Sequence, residues 1–403
     1  MKSIALAALA LGLGCQREPA EEHRPPAPGG GETQSTPAPP PPGPNPSPAP
    51  PAEASRPAAP PLPDPLPGTR RDVSAFVGTA YRAAIGDLDG DGTREIVLVD
   101  PAQLRVVDRA GRAIASIAAP SGANIVTTLD VDGDHRAEIV VGWGMNREHK
   151  DAPAKVVLYR LAKDRLVEET IFSPETTRAE IVAILPWETN AIMVAYWESK
   201  YLVRSVVLRK GDSGWAPTQI ASLRTATTYV RGDLDGDGAP DLVVGRVYGD
   251  AKGVDGDAFV LAPDGKRVPI PTLRGVRSLP IADGDLFIGD GWHQNYSQSA
   301  HGRLAWVRHT SAGFQAELVE DTAGQYAIER IVPAKIDGRT ALVTQGSQYV
   351  RVFTRTDHGW QGLSIAGPAR DIAIGDLDGV TGDEILVLGE PSVVVGLDQT
   401  SRR

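Results

Sequence analysis

Along residues 72–403 the apolar residues come in short runs cut off by Gly, Asp, Asn or Pro. Ile96-Val97-Leu98-Val99, Ile139-Val140-Val141, Leu242-Val243-Val244 and Ile385-Leu386-Val387-Leu388 are the clearest. Runs of this length, rich in β-branched residues and bounded by turn formers, predict strands rather than helices. The order around them repeats: a strand, a tight loop, an apolar strand, a longer loop, a strand, a hairpin turn, a strand. The hairpin turns are marked by Asp108-Arg-Ala-Gly, Asp212-Ser-Gly-Trp, Pro263-Asp-Gly-Lys, Ser311-Ala-Gly-Phe and Asp357-His-Gly-Trp. Gly and Asp supply the backbone angles that such turns require.

Four of the tight loops are near copies of one another, beginning at Asp87, Asp130, Asp233 and Asp376. Their separations are one, two and three units of about 47 residues, a period of stacked or radial repeats. Three further units keep the apolar strand pairs without the acidic loop, at 181–185 with 191–195, 276–281 with 286–289, and 328–332 with 341–344. Seven units of four strands therefore span 79–118, 122–172, 178–223, 226–272, 274–320, 324–366 and 369–403. The last lacks a fourth strand, and residues 72–78 are predicted to supply it and shut the ring. The fold class this implies is all-β, a seven-bladed β-propeller of antiparallel four-stranded blades.

The beginning of the chain follows another pattern. Lys2 precedes an apolar stretch from Ile4 to Leu13, then Gly14 and Cys15, the one cysteine among 403 residues. A basic start, a short apolar core and a small residue before the break predict an export signal over residues 1–14. The site resembles a bacterial lipobox, which implies a lipid on Cys15; Gly12 stands where that pattern usually has Leu. Gln16, rather than Asp, follows the cysteine, and the resemblance then implies an outer-membrane or cell-surface lipoprotein. More than half of the 34 prolines lie between Pro19 and Pro67. Residues 15–70 thus form a spacer that cannot bury a core and samples extended conformations. The lipid is the only membrane attachment expected, since no apolar run is long enough to span a bilayer.

Net charge is −10, and no basic stripe suited to nucleic acid is present. The acidic loops explain part of that balance. Carboxylates stand at positions 1, 3, 5 and 9: Asp87, Asp89, Asp91 and Glu95; Asp130, Asp132, Asp134 and Glu138; Asp233, Asp235, Asp237 and Asp241. The fourth loop keeps Asp376, Asp378 and Glu384, with Val380 at position 5. Oxygen ligands at this density suit Ca²⁺, with the position-7 carbonyls of Thr93, Arg136, Ala239 and Gly382 as further ligands. A strand begins directly after position 9, which excludes a helix-flanked EF-hand. These loops resemble the FG-GAP/VCBS repeats of integrin-α-type propellers. The resemblance implies one Ca²⁺ per loop, held between the first and second strands of a blade.

The loops between second and third strands fall on the opposite face of such a ring. They hold aromatics beside charges and amides: Trp143 with Glu148, Trp197, Tyr248, and Trp292 with His293 and Tyr296. Exposed aromatics of this kind predict a recognition arc for a protein or polysaccharide ligand. No nucleophile elbow, zinc-binding helix or phosphate loop is present in the sequence. The expected function is a surface-anchored, monomeric, calcium-stabilised binding module. The alternative is a carbohydrate-active lyase or hydrolase using a carboxylate pair such as Glu148 and Asp290.

Overall fold

The computed structural model describes residues 70–396, apart from 120–121, 146–152, 177–178, 200, 250–255, 273–274, 293–301, 323–327, 337, 347 and 380–381; of 291 and 292 only the backbone is described. Contacts divide the chain into residues 1–58 and 59–403, and every described residue belongs to the second unit. The export signal, Cys15 and nearly all of the spacer lie outside the described residues.

Seven antiparallel sheets follow one another along the chain, at 82–118, 123–172, 181–224, 226–270, 275–321, 328–366 and 369–396. These are blades 1 to 7. The first strand of each blade touches the first strand of the next, and the first strand of blade 7 touches that of blade 1. The result is a closed seven-bladed propeller with its first strands innermost.

The core is distributed between blades. Seven apolar clusters occur among the described residues, one in each gap between neighbours. This explains the unbroken apolar runs of the second strands. In Glu95–Val99, Val97 and Val99 pack toward blade 2 while Ile96 and Leu98 pack toward blade 7. Both faces of the strand are covered, so the positions after Glu95 are all apolar.

Ring closure differs in detail from the expectation of a strand over 72–78. The closing strand is Arg70–Asp72, paired antiparallel with Val393–Gly396. Ser74–Val77 form a single helical turn instead. Val73, Val77 and Ala80 are buried between blades 7 and 1, so the turn fills the seam that the strand closes. Alternation along 72–78 could not separate a strand from one helical turn that buries residues four apart.

Neighbouring inner strands approach very closely where blades meet. A Cβ on Gly86 would lie 2.7 Å from the Thr128 Cβ. Thr128 cannot retreat, because its hydroxyl donates to the Ile85 carbonyl at 2.7 Å. Gly86→Ala should therefore cost about 1–3 kcal/mol as overpacking. At Gly232 the Cβ would meet only the terminal Ile281 Cδ1, at 2.8 Å, which can turn aside. Urea midpoints should rank Gly86→Ala well below Gly232→Ala. Equal losses would show that the seam yields at both places.

Candidate metal centres

Each acidic loop leaves the inner strand at a buried second residue. Leu88, Val131, Leu234 and Leu377 anchor the loops in the inter-blade clusters. Their N–H groups donate to the position-9 carboxylates: Leu88 to Glu95 at 2.8 Å, Val131 to Glu138 at 2.9 Å, Leu234 to Asp241 at 3.1 Å and Leu377 to Glu384 at 2.6 Å. The position-1 aspartates orient the turn. Asp87 Oδ1 accepts from Gly90 N–H at 2.7 Å and Oδ2 from Gly92 N–H at 3.0 Å. Asp233 repeats both bonds with Gly236 and Gly238. Gly90 takes φ +78°, and its open side is occupied by the stem of Arg136 from the next loop. Adjacent loops are also tied by backbone, Ala137 N–H donating to the Asp87 carbonyl at 2.7 Å.

Three carboxylates converge in each loop, against four expected in blades 1, 2 and 4 and three in blade 7. Ligand oxygens lie within 4.8 Å of one another in Asp87, Asp89 and Glu95; in Asp130, Asp132 and Glu138; in Asp233, Asp235 and Asp237; and in Asp376, Asp378 and Glu384. Asp91 and Asp134 are outside these groups; each accepts from the N–H two residues on, at 2.6 and 2.9 Å. Asp241 is also outside: it accepts from Leu234 N–H as the Glu residues do from theirs, but is one methylene shorter. Thr93, Arg136 and Ala239 donate their N–H groups to Asp91, Asp134 and Asp237, and Gly382 stands at the same position in blade 7.

Burial pushes the Glu95 carboxyl up to about 7, against the pull of the Leu88 hydrogen bond, with Asp89, Asp91 and Asp87 adding to the rise. Glu138, Asp241 and Glu384 are raised for the same leading reason, each helped by its own loop's aspartates. Such sites hold unneutralised negative charge at the edge of an apolar seam. The donor set is all oxygen, and oxygens that lie within 4.8 Å of one another can share a Ca²⁺, whose ligands stand about 2.4 Å from the ion. The loops of blades 1, 4 and 7 fit a hard divalent cation on these grounds. Blade 2 differs, because Arg160 stands against Glu138 and Asp132. The chemistry a bound ion would supply is charge neutralisation and cross-linking of the loop, not catalysis.

On the opposite face the predicted aromatic arc is corrected. Trp143 is only 1% exposed. It ends the strand Glu138–Trp143, where alternation with Ile139 and Val141 turns its ring toward blade 1. It is a core residue and cannot stack on a ligand. Trp197 continues Met193 and Ala195 toward blade 4 and is half-buried. Tyr248 is half-buried, and its carbonyl accepts from the Thr225 hydroxyl. Trp292 ends its strand, with no side chain described; His293, Tyr296 and Glu148 lie outside the described residues. Asp290 is buried at 2% exposure, which removes it from a surface carboxylate pair. Tyr201, passed over in the sequence reading, is exposed at this end of blade 3, with the Arg224 guanidinium 4.8 Å from its ring centroid. Its one sequence signal was position, at the end of a second-to-third-strand loop directly before Leu202.

No protein-family model matches this sequence, and no characterised protein aligns with it. Solved structures are similar in fold. BBS1N in complex with ARL6DN, from crystals soaked with lead, gives a TM-score of 0.54 at 12% identity, covering 83% of this chain and 97% of that one. The mercury-soaked form of the same complex gives 0.52 at 14% identity with the same coverage. The Dos1 propeller gives 0.45 at 11% identity over 78% of each chain. At identities this low, what the first two share with this chain is the β-propeller fold itself.

Proposed function

We propose that this protein is a calcium-stabilised recognition module, exported and held at a bacterial surface through Cys15 and its proline-rich stalk, that binds a protein ligand. The observation that carries the metal reading is the convergence of three carboxylates in the loops of blades 1, 4 and 7, all on one face of the ring. Ions there would leave the opposite face free. That face offers Tyr201 stacked by Arg224, beside the ion pair of Arg204 with Glu198, a mixture typical of protein interfaces. BBS1N, a protein of the same fold, is crystallised with a protein partner, ARL6DN. The buried Trp143 weakens the polysaccharide alternative, which needed a continuous aromatic shelf. With Asp290 buried, a glycosidase reading loses the pair of Glu148 with Asp290.

The test is a screen of the Ca²⁺-loaded protein against surface-protein and glycan arrays. Retention by a protein ligand should fall about tenfold or more in Tyr201→Ala, as for an aromatic anchor. His358→Ala, on a hairpin of the acidic-loop face, should bind like the wild type. Glycan binding that survives Tyr201→Ala would overturn the reading.

A further inference from the structure

We propose that blade 2 carries its counter-ion within its own chain, in Arg160, and that its acidic loop takes no divalent ion where those of blades 1, 4 and 7 do. The inference rests on the metal reading above and departs from the equivalence of the loops in sequence. Strand register decides it. Ile139 pairs with Tyr159, so Arg160 stands across the ladder from Glu138, the position-9 carboxylate. The same register puts Asp108 opposite Glu95 and Ala262 opposite Asp241, and Gly396 pairs with Glu384 directly. Only blade 2 has a cation at this place.

The guanidinium is fixed there. Its Nε donates to Glu138 Oε1 at 3.2 Å, and the other oxygen, Oε2, already accepts from Val131 N–H at 2.9 Å. Its Nη1 donates to Glu169 Oε2 at 2.9 Å, and Glu169 is held in turn by Trp215 Nε1 of blade 3, also at 2.9 Å. Its Nη2 lies 3.8 Å from Asp132 Oδ2. The loop responds to it. In blades 1 and 4 the position-3 Oδ1 accepts from the position-5 N–H, Asp91 to Asp89 and Asp237 to Asp235, both at 3.1 Å. In blade 2 the corresponding Asp132 Oδ1 is buried and makes no hydrogen bond. Asp132 lacks that turn bond, and its other oxygen, Oδ2, stands at ion-pair distance from Arg160 Nη2, which makes no hydrogen bond of its own. Both oxygens of Glu138 are thus engaged, and a divalent ion at the convergence point would sit beside a fixed positive charge at short range. A planar, permanently charged guanidinium serves as that charge better than an amine would.

Bound Ca²⁺ per chain, counted by atomic emission after equilibrium dialysis at micromolar free Ca²⁺, tests this. The wild type should hold three ions, and Arg160→Gln should hold four. Asp132→Asn in the otherwise wild-type chain should still hold three, while Asp89→Asn should hold two. The Asp132→Asn arm keeps the test decisive even if Arg160→Gln folds poorly. Four ions on the wild type, or the loss of one ion in Asp132→Asn, would overturn the proposal while leaving the metal reading intact. No ion on the wild type would overturn both.

Discussion

Chelation with EDTA should lower the melting temperature by on the order of 15 °C, and by more at pH 7.5 than at pH 5. The size follows from linkage. An ion present at a hundred times its dissociation constant stabilises by about 2.7 kcal/mol, and three such ions by about 8 kcal/mol. At about 2 °C per kcal/mol, the low end that suits so large a domain, this gives the shift stated. The pH dependence follows from Glu95. In the metal-free fold its carboxyl titrates near 7, against an ordinary value of 4.5, because burial and the three aspartates disfavour its charge. A raised carboxyl contributes stability that is fully present below about 4.5 and lost as pH rises through about 7. The metal-free protein should therefore weaken across that window. The loaded protein should strengthen across it, because a cation competes with the proton for the same oxygens. Differential scanning calorimetry at three pH values, with Ca²⁺ or with EDTA, separates the two curves. Parallel curves would mean that no ion resides in these loops.

The blade count was legible because the second strands are buried on both faces. A strand of that kind must be apolar along most of its length, and its runs recur with the loops between them. The acidic loops were legible for another reason: an ordinary turn uses one Asp and one Gly, and does not repeat carboxylates at positions 1, 3, 5 and 9. What could not be read was anything set by register across a ladder. Arg160 is 22 positions from Glu138 along the chain, and only the pairing of Ile139 with Tyr159 brings them together. Trp143 was misplaced by the same gap. As a loop residue it faces a ligand; as the last member of the alternation Ile139, Val141, Trp143 it faces blade 1. The one-methylene difference between Asp241 and its Glu counterparts likewise changes which oxygens converge, in a loop that otherwise copies blade 1.

A chain beginning at Thr79 should melt at least 10 °C below one beginning at Thr69, and should associate as its concentration rises. The two differ by the closing strand and the helical turn. Losing them removes Val73 and Val77, at 1% and 0% exposure. Burying each such side chain contributes about 1.5–3 kcal/mol. Two anchoring bonds from blade 7 go with them, Val73 N–H to the Ser392 carbonyl and Ser392 N–H to the Ser74 hydroxyl, both 3.0 Å. Arg105 of blade 1 is left without the Phe76 and Val77 carbonyls that its guanidinium now reaches at 3.0 and 3.1 Å. The larger consequence is at the seam. Val393–Gly396 now pairs on both sides, with Glu384–Gly389 and with Arg70–Asp72. Stripped of the latter it becomes a bare, all-valine edge ending in glycine, the kind of edge that recruits a second chain. Sedimentation velocity should show that association for the Thr79 chain alone. Ca²⁺ should not rescue it, because the metal loops clamp strands within a blade and cannot replace a missing one. If the two chains melt together and both stay monomeric, closure by Arg70–Asp72 contributes nothing and the ring is held by inter-blade packing alone.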